Sequence, residues 1–79
     1  MRDLDWDDLR FFLSVANRGS ISGAANDLRT SHSTVLRRLA SLEKKMGTRL
    51  LERLPSGYTM TAAGQQLRER LGDHLRQRR

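Results

Sequence analysis

The stretch Ala24 to Met46, AANDLRTSHSTVLRRLASLEKKM, constrains this chain more than any other. Ala24, Ala25 and Leu28 fall at i, i+1 and i+4 and give a helix of about two turns an apolar face. Arg29 and Thr30 break that pattern. Ser31 then predicts an N-cap, because its hydroxyl can accept from a free backbone N–H at the start of the next helix. From there Val35, Leu39, Leu42 and Met46 recur on one side only, and Gly47 follows as a C-cap. The opposite side carries His32, Ser33, Leu36, Arg37, Arg38, Lys44 and Lys45. A helix over residues 32–46 is therefore buried along one stripe and donor-rich and cationic outside. Two helices joined by a turn of about four residues, the second basic on its free side, make the helix-turn-helix arrangement, whose second helix enters the DNA major groove. A helical hairpin with a solvated charged face fits the same residues, and the stretch alone leaves both readings open.

The net charge of +6 is unevenly spread. Residues 1–28 hold three arginines against five aspartates, residues 29–53 seven Lys/Arg against two glutamates, and residues 54–79 five arginines against two acids. Positive charge thus sits on and after the basic helix, as a phosphate-binding footprint requires. A generally basic surface would not leave the first eight residues acidic.

Seventy-nine residues make one small domain. A chain of this size buries only about 60% of its unfolded surface, so its stability margin is thin and a second subunit would help. There is no cysteine, hence no disulfide frame and no thiolate metal site. His32 and His74 have no ligand cluster beside them, so neither a metal nor a cofactor is expected. No Ser/His/Asp or Cys/His grouping, Gly-rich phosphate loop or carboxylate pair near a histidine is present, so no catalytic residue is nominated and an enzyme is not expected. No apolar run approaches the ~20 residues of a membrane span, and the acidic N-terminus does not read as an export signal. A cytoplasmic, nucleoid-associated protein with no membrane partner is the expectation.

Along the chain, residues 5–18 predict a first helix, with Asp5 as cap and Asp7 and Asp8 at the positive end of its dipole. Leu9, Phe12, Leu13 and Ala16 form its inward stripe, with Trp6, Phe11 and Val15 beside it. Aromatics at helical spacing without interleaved arginines point to a core rather than to base stacking. Gly19 ends the helix. Ile21 reads as a buried linker residue, and Ser22 as the cap of the next helix, where it can also touch a phosphate. Apolar pieces around Pro55-Ser56-Gly57 predict a small β-hairpin, Leu51 to Arg53 with Tyr58 to Met60. A hairpin after a helix-turn-helix is a wing. Arg53 is its residue best placed to meet a phosphate, and a surface ion pair with Glu52 or Asp27 is the alternative.

Thr61 predicts the cap of a final helix running to the chain end. There Ala63, Leu67, Leu71 and Leu75 recur every four residues as one narrow apolar stripe. Such a stripe suits a helix that pairs with another; packing on its own domain alone is the alternative. Gly64 and Gly72 each weaken this helix by roughly 1 kcal/mol against alanine. Arg76-Gln77-Arg78-Arg79 reads as the cut end of the helix rather than a basic tail.

Many spaced positions share one further property. Leu9-Arg10-Phe11-Phe12, Gly19-Ser20-Ile21, Ala24-Ala25, Leu28, Ser31, Val35, Arg37, Leu39, Leu42-Glu43, Gly47, Arg49-Leu50, Glu52-Arg53, Met60-Thr61 and Ala63-Gly64 resemble, in register, the N-terminal DNA-binding domain of LysR-type transcriptional regulators. The resemblance covers nearly the whole chain. It implies a mainly α fold: a winged helix-turn-helix over residues 1–60, with a three-helix core and a small hairpin wing, and a long linker and dimerisation helix over residues 61–79. It implies a homodimer on a near-palindromic double-stranded DNA site. It also implies a C-terminal effector-binding domain that is absent from this chain, so the chain is expected to be a fragment, and a small-molecule effector is expected only for the missing part.

Carried over residue by residue, the resemblance sets Ser31, His32, Ser33 and Thr34 against base edges and nearby phosphates. Arg37 matches a basic position that grips DNA, and Arg53 the wing arginine. The family usually has Gln-Pro where this chain has His32-Ser33, a small polar residue at Leu36, and often an arginine at Ser56. Leu36 can meet a thymine methyl or pack on its own domain. Phosphate contacts by Arg37, Arg38, Arg53 and Lys44 would supply affinity, and the first turn of the basic helix specificity. With Ser22 and Ser56 these residues complete the expected DNA-facing set. The rival reading is a winged-helix protein-interaction module that binds no DNA.

Overall fold

The computed structural model describes the backbone of residues 5–77 and the side chains of residues 5–72. The elements run α1 (Trp6–Arg18), α2 (Ile21–Leu28), α3 (His32–Met46), β1 (Leu51–Leu54), β2 (Gly57–Met60) and α4 (Ala62–Gln77). This is the winged helix-turn-helix architecture: a three-helix core, a two-stranded wing and a further helix.

Each helix starts where a side-chain oxygen satisfies a free amide. Asp5 accepts from the Asp7 N–H, Ser31 from that of Thr34, and Thr61 Oγ1 from that of Gly64. For α2 the cap is Ser20, whose extended backbone brings its Oγ 2.9 Å from the Gly23 nitrogen. This corrects the assignment of that role to Ser22, which lies inside the first turn. Ile21 is correspondingly the first helical residue and only half-buried, not a buried linker. At the other ends, α1 and α3 stop at Gly19 and Gly47, and α2 at Arg29, a non-glycine residue at φ 54°.

The core lies where α1, α2 and α3 meet. Phe12, Val15, Ala24, Val35, Leu42 and Leu50 are sealed from solvent, and the small side chains of Ala24 and Ala25 let α2 approach closely. On α1 the buried face is Leu9, Phe11, Phe12 and Val15, while Leu13 and Ala16 are half-buried and Trp6 is 50% exposed. The predicted stripe is turned too far one way because α1 packs on α2 and α3 together, which buries a face wider than a single stripe.

The strands pair antiparallel from Leu51 with Met60 to Leu54 with Gly57, leaving Pro55-Ser56 as a two-residue loop. Each strand is one residue longer than predicted. Gly57 sits at φ 141°, and a Cβ there would collide with the carbonyl oxygen of Gly19. That oxygen accepts from the Tyr58 N–H at 2.9 Å, so the wing is tied to the α1–α2 corner through backbone.

The final helix begins in the same fashion. The Leu50 carbonyl accepts from the Thr61 N–H at 3.0 Å, Thr61 Oγ1 donates to the Arg49 carbonyl at 2.7 Å, and a Cβ on Gly64 would run into the Leu50 oxygen. Gly64 is therefore the residue that lets α4 lie against the chain entering the wing, not merely a weak point. Leu67, 5% exposed, packs into its own domain's core, and Leu71 rests half-buried against it. The first turns of α4 thus belong to the core. Leu75 and the terminal Arg78-Arg79 lie outside the residues whose side chains are described.

The two glycines of α4 should respond to alanine with opposite signs. Gly64→Ala is expected to lose about 1–3 kcal/mol of stability through overpacking, despite better helix propensity. Gly72 has open space around its would-be Cβ, so Gly72→Ala should gain up to about 1 kcal/mol. Urea unfolding of both variants measures this, and a Gly64→Ala chain more stable than wild type would contradict the packing role.

Candidate nucleic-acid interface

The start of α3 is organised by Ser31. Its hydroxyl lies 3.1 Å from the Thr34 nitrogen, 2.9 Å from Thr34 Oγ1 and 3.2 Å from Ser33 Oγ. One residue on, His32 Nε2 lies 3.3 Å from Ser22 Oγ, joining the first turn of α2 to the first turn of α3. Ser31, His32, Ser33, Leu36 and Arg37 are exposed and Thr34 is half-buried. Residues 32, 33, 36 and 37 fall at i, i+1, i+4 and i+5, which is one face of a helix. Leu36 is 47% exposed, so it stands on this open face and does not pack in the core.

An open groove runs beside that face. Ser22, His32 and Leu36 line it from the helices, with Ser20 and Ile21, and Arg53, Leu54, Ser56 and Tyr58 line it from the hairpin. Five of the nominated residues, Ser22, His32, Leu36, Arg53 and Ser56, are thereby brought to one surface feature. Neither proposed partner claims Arg53: Asp27 is paired with Arg18 at 3.5 Å, and Glu52 makes no ion pair among the described residues.

The cations are sorted by their partners. Arg10 pairs with Asp7 and Arg18 with Asp27. Among the described residues Arg29, Arg37, Lys44, Arg49 and Arg53 make no ion pair, nor do Arg68 and Arg70 on α4, and all seven are exposed. Arg29 was not nominated from the sequence. It lies with Ser22, Asn26, Thr30 and His32 around a shallow depression beside the start of α3. Its break in the apolar pattern marked a turn, and that it was also an exposed cation beside the basic helix was the overlooked signal.

Arg38 is not where the sequence reading put it. Its Nη1 lies 3.1 Å from Asp8 Oδ1 and 3.9 Å from Asp5 Oδ2, and its guanidinium carbon sits 5.7 Å from the centre of the Phe11 ring. Lys45 Nζ lies 3.4 Å from the other Asp8 oxygen. Arg38 lies about 100° beyond Arg37 around the axis, which carries it past the edge of the open face and over α1. Arg38 faces α1, and Arg37 stands exposed.

No group of three potential metal-ligating side chains occurs among the described residues, and no described helix is long and apolar enough to cross a membrane.

Comparison with known proteins agrees with this architecture. A family model described as a bacterial regulatory helix-turn-helix protein, lysR family, matches residues 6–65. The HTH-type transcriptional regulator YofA of Bacillus velezensis is 43% identical over 60 residues, covering 76% of this chain and 21% of YofA. ClcR of Pseudomonas putida is 38% identical over 61 residues, with 77% and 21% covered. The chain thus spans about a fifth of the length of these curated relatives. Among solved structures, the CbnR DBD–DNA complex superposes with a TM-score of 0.75 at 32% identity, over 92% of this chain and 95% of that one. The BenM DBD/catB site 1 DNA complex gives 0.79 at 27% identity, with 94% and 86% covered.

Proposed function

The chain belongs to the lysR family of bacterial regulatory helix-turn-helix proteins, and from that premise we propose that it binds double-stranded DNA sequence-specifically as the DNA-binding part of a transcription regulator. One observation carries the reading. The first turn of α3 presents an exposed polar and cationic face beside a wing arginine, on a fold that superposes on the DNA complexes of CbnR and BenM.

In this reading α3 enters the major groove. His32, Ser33 and Leu36 meet base edges, with Leu36 suited to a thymine methyl. Ser31 and Thr34 shape that turn and approach the nearby backbone, and Ser22 and Ser56 flank it. Arg37 and Arg53 contact phosphates, joined by Arg29 and Lys44. These contacts give affinity and register, and the base edges give specificity. The partner places the protein at the nucleoid, in the cytoplasm. A protein-interaction module would lack the signature of phosphate binding, a log–log fall of affinity with salt of roughly −0.9 per phosphate neutralised.

Arg37→Ala should weaken binding to all duplexes more than it changes their ranking, and should lower the salt slope by about one unit. Titration of the folded variant at several salt concentrations measures both, and an unchanged affinity would exclude Arg37 from the interface. Replacing His32-Ser33 by Gln-Pro should shift the preferred half-site, by about 1–3 kcal/mol per altered base contact. Site selection from random duplexes with both chains tests this, and identical preferred sequences would place specificity elsewhere.

The reading extends to a homodimer. Residues 1–60 form the DNA-contacting part and residues 61–79 the pairing part, although the first turns of α4 also complete the core. Because Leu67 is already buried within its own domain, pairing falls to the half-buried Ala63 and Leu71, with Leu75 next on the same stripe. Two-fold symmetry then asks for a near-palindromic site with half-sites about one helical turn, ~34 Å, or a multiple apart. A small-molecule effector belongs to the remainder of a longer regulator. Leu71→Asp should give a folded monomer whose affinity for a full site falls to that for a half-site. Sedimentation and titration with both duplexes read the two parts. A monomeric wild-type chain that binds half-sites as tightly as full ones would refute the dimer.

A further inference from the structure

We propose that Asp8 is a positioning residue for DNA reading: a buried carboxylate that holds α3 by Arg38 and Lys45, and thereby selects which of two neighbouring arginines faces the duplex. The inference rests on the reading of α3 as the groove-entering helix.

Asp8 is 1% exposed, the one charged side chain buried to that degree among the described residues. It sits in the first turn of α1, where a carboxylate is already favoured by the helix dipole. Yet both of its oxygens are directed to another element. Oδ1 accepts from Arg38 Nη1 at 3.1 Å and Oδ2 from Lys45 Nζ at 3.4 Å. Those two residues are seven apart on α3, close to two helical turns, so they lie on one side of it about 10 Å apart along the axis. A carboxylate bound at a single point would act as a pivot. Bound to two points spaced along α3, it fixes both the rotation of that helix about its axis and its slide along α1. Asp5 at 3.9 Å and the Phe11 ring at 5.7 Å further confine the Arg38 guanidinium.

Two consequences follow for binding. A buried carboxylate left without partners is strongly unfavourable, so α3 cannot turn to expose Arg38 without stranding Asp8. Arg37, about 100° further round, is thereby held on the open face with His32, Ser33 and Leu36. Arg38 and Lys45, in turn, are engaged by the protein's own carboxylate, and Arg38 adds nothing to the count of phosphates neutralised. The acidic start of the chain thus draws cations of the basic helix away from the DNA side.

The test compares Arg37→Gln, Arg38→Gln, Asp8→Asn and the double variant Asp8→Asn/Arg38→Gln. Each is titrated with the duplex selected by wild type and with random duplex, across a range of potassium chloride concentrations. Arg37→Gln should lower the salt slope by about one unit. Arg38→Gln should leave the slope at the wild-type value while reducing the preference for selected over random duplex several-fold. Asp8→Asn should also reduce that preference, and the double variant should be no worse than the worse single one, because one interaction is being removed. A slope lowered by about one unit in Arg38→Gln, or losses that add in the double variant, would overturn the proposal. Loss of stability alone, with preference intact at equal folded fraction, would make Asp8 a structural residue and overturn it too. Should Asp8→Asn fail to fold, the Arg38→Gln slope and preference decide. A wild-type chain that binds no duplex at low salt would instead bring down the functional reading. The Asp8–Arg38 coupling would then still be visible as non-additive melting temperatures of the same chains.

Discussion

The peptide of Leu50 is where three elements are held to one another. Its N–H donates to Glu43 Oε2 at 2.8 Å, and the next amide, of Leu51, donates to the same oxygen at 3.1 Å. Its carbonyl accepts from Thr61, and its side chain is sealed in the core. The last turn of α3, the entry to the wing and the start of α4 therefore share one residue. Hydrogen bonds to a charged acceptor are worth about 1.5–3 kcal/mol each, and leaving buried amides unmet costs a comparable amount. In a domain this small that is a large share of the whole margin of stability. Both walls of the groove beside α3 are anchored through this junction: one is α3 itself, the other the strand that Leu50 leads into.

Charge is allotted as unevenly as hydrogen bonding. The net charge overstates what the chain can offer a polyanion, because part of it is answered internally. Arg10, Arg18, Arg38 and Lys45 all have carboxylate partners, three of the four on α1, while the cations without an ion pair among the described residues lie at the start of α3, on its solvent side, at and beside the wing, and on α4 at Arg68 and Arg70. Exposed ion pairs contribute little to stability individually. Their effect here is distribution: cations on α1 and on the side of α3 that faces it are answered internally, and those on the outer side of α3 and on the wing remain open to a charged partner.

What could be read from the sequence was what depends on neighbours a few residues away. The apolar stripe of α3, the caps at Asp5, Ser31, Gly47 and Thr61, and the turn at Pro55-Ser56 are local matters of periodicity and hydrogen-bond chemistry, and the structure has them. Ser20 and Ser22 are the instructive miss. Both are good caps, and only the extended backbone at Ser20 chooses between them. Other misses are non-local. Periodicity puts Arg37 and Arg38 outside the core but cannot see that a carboxylate thirty residues earlier claims Arg38. Propensity scores Gly64 as a weakness because it does not know that the Leu50 carbonyl passes where a Cβ would be. The role of Glu43 is non-local in the same way, since the amides it serves belong to the next element. The groove was legible as a set of residues but not as a shape, since its two walls come from segments joined only through tertiary contacts.

The bond between Tyr58 N–H and the Gly19 carbonyl has a consequence for how such a surface diversifies. Together with the closeness of Gly57 to the same oxygen, it ties the wing to the α1–α2 corner by main chain alone. No side chain of the groove wall takes part in that bond. Lining residues such as Leu36, Arg53 and Ser56 can therefore be exchanged without breaking that tie. Span and chemistry are uncoupled: the backbone works as a fixed frame, and the exposed side chains mounted on it are free to vary. If α3 reads DNA as proposed, divergence at Ser33, Leu36 and Ser56 is what a lineage acquiring a new target would show, while Gly57 and Gly64, where a Cβ would meet backbone, would resist change.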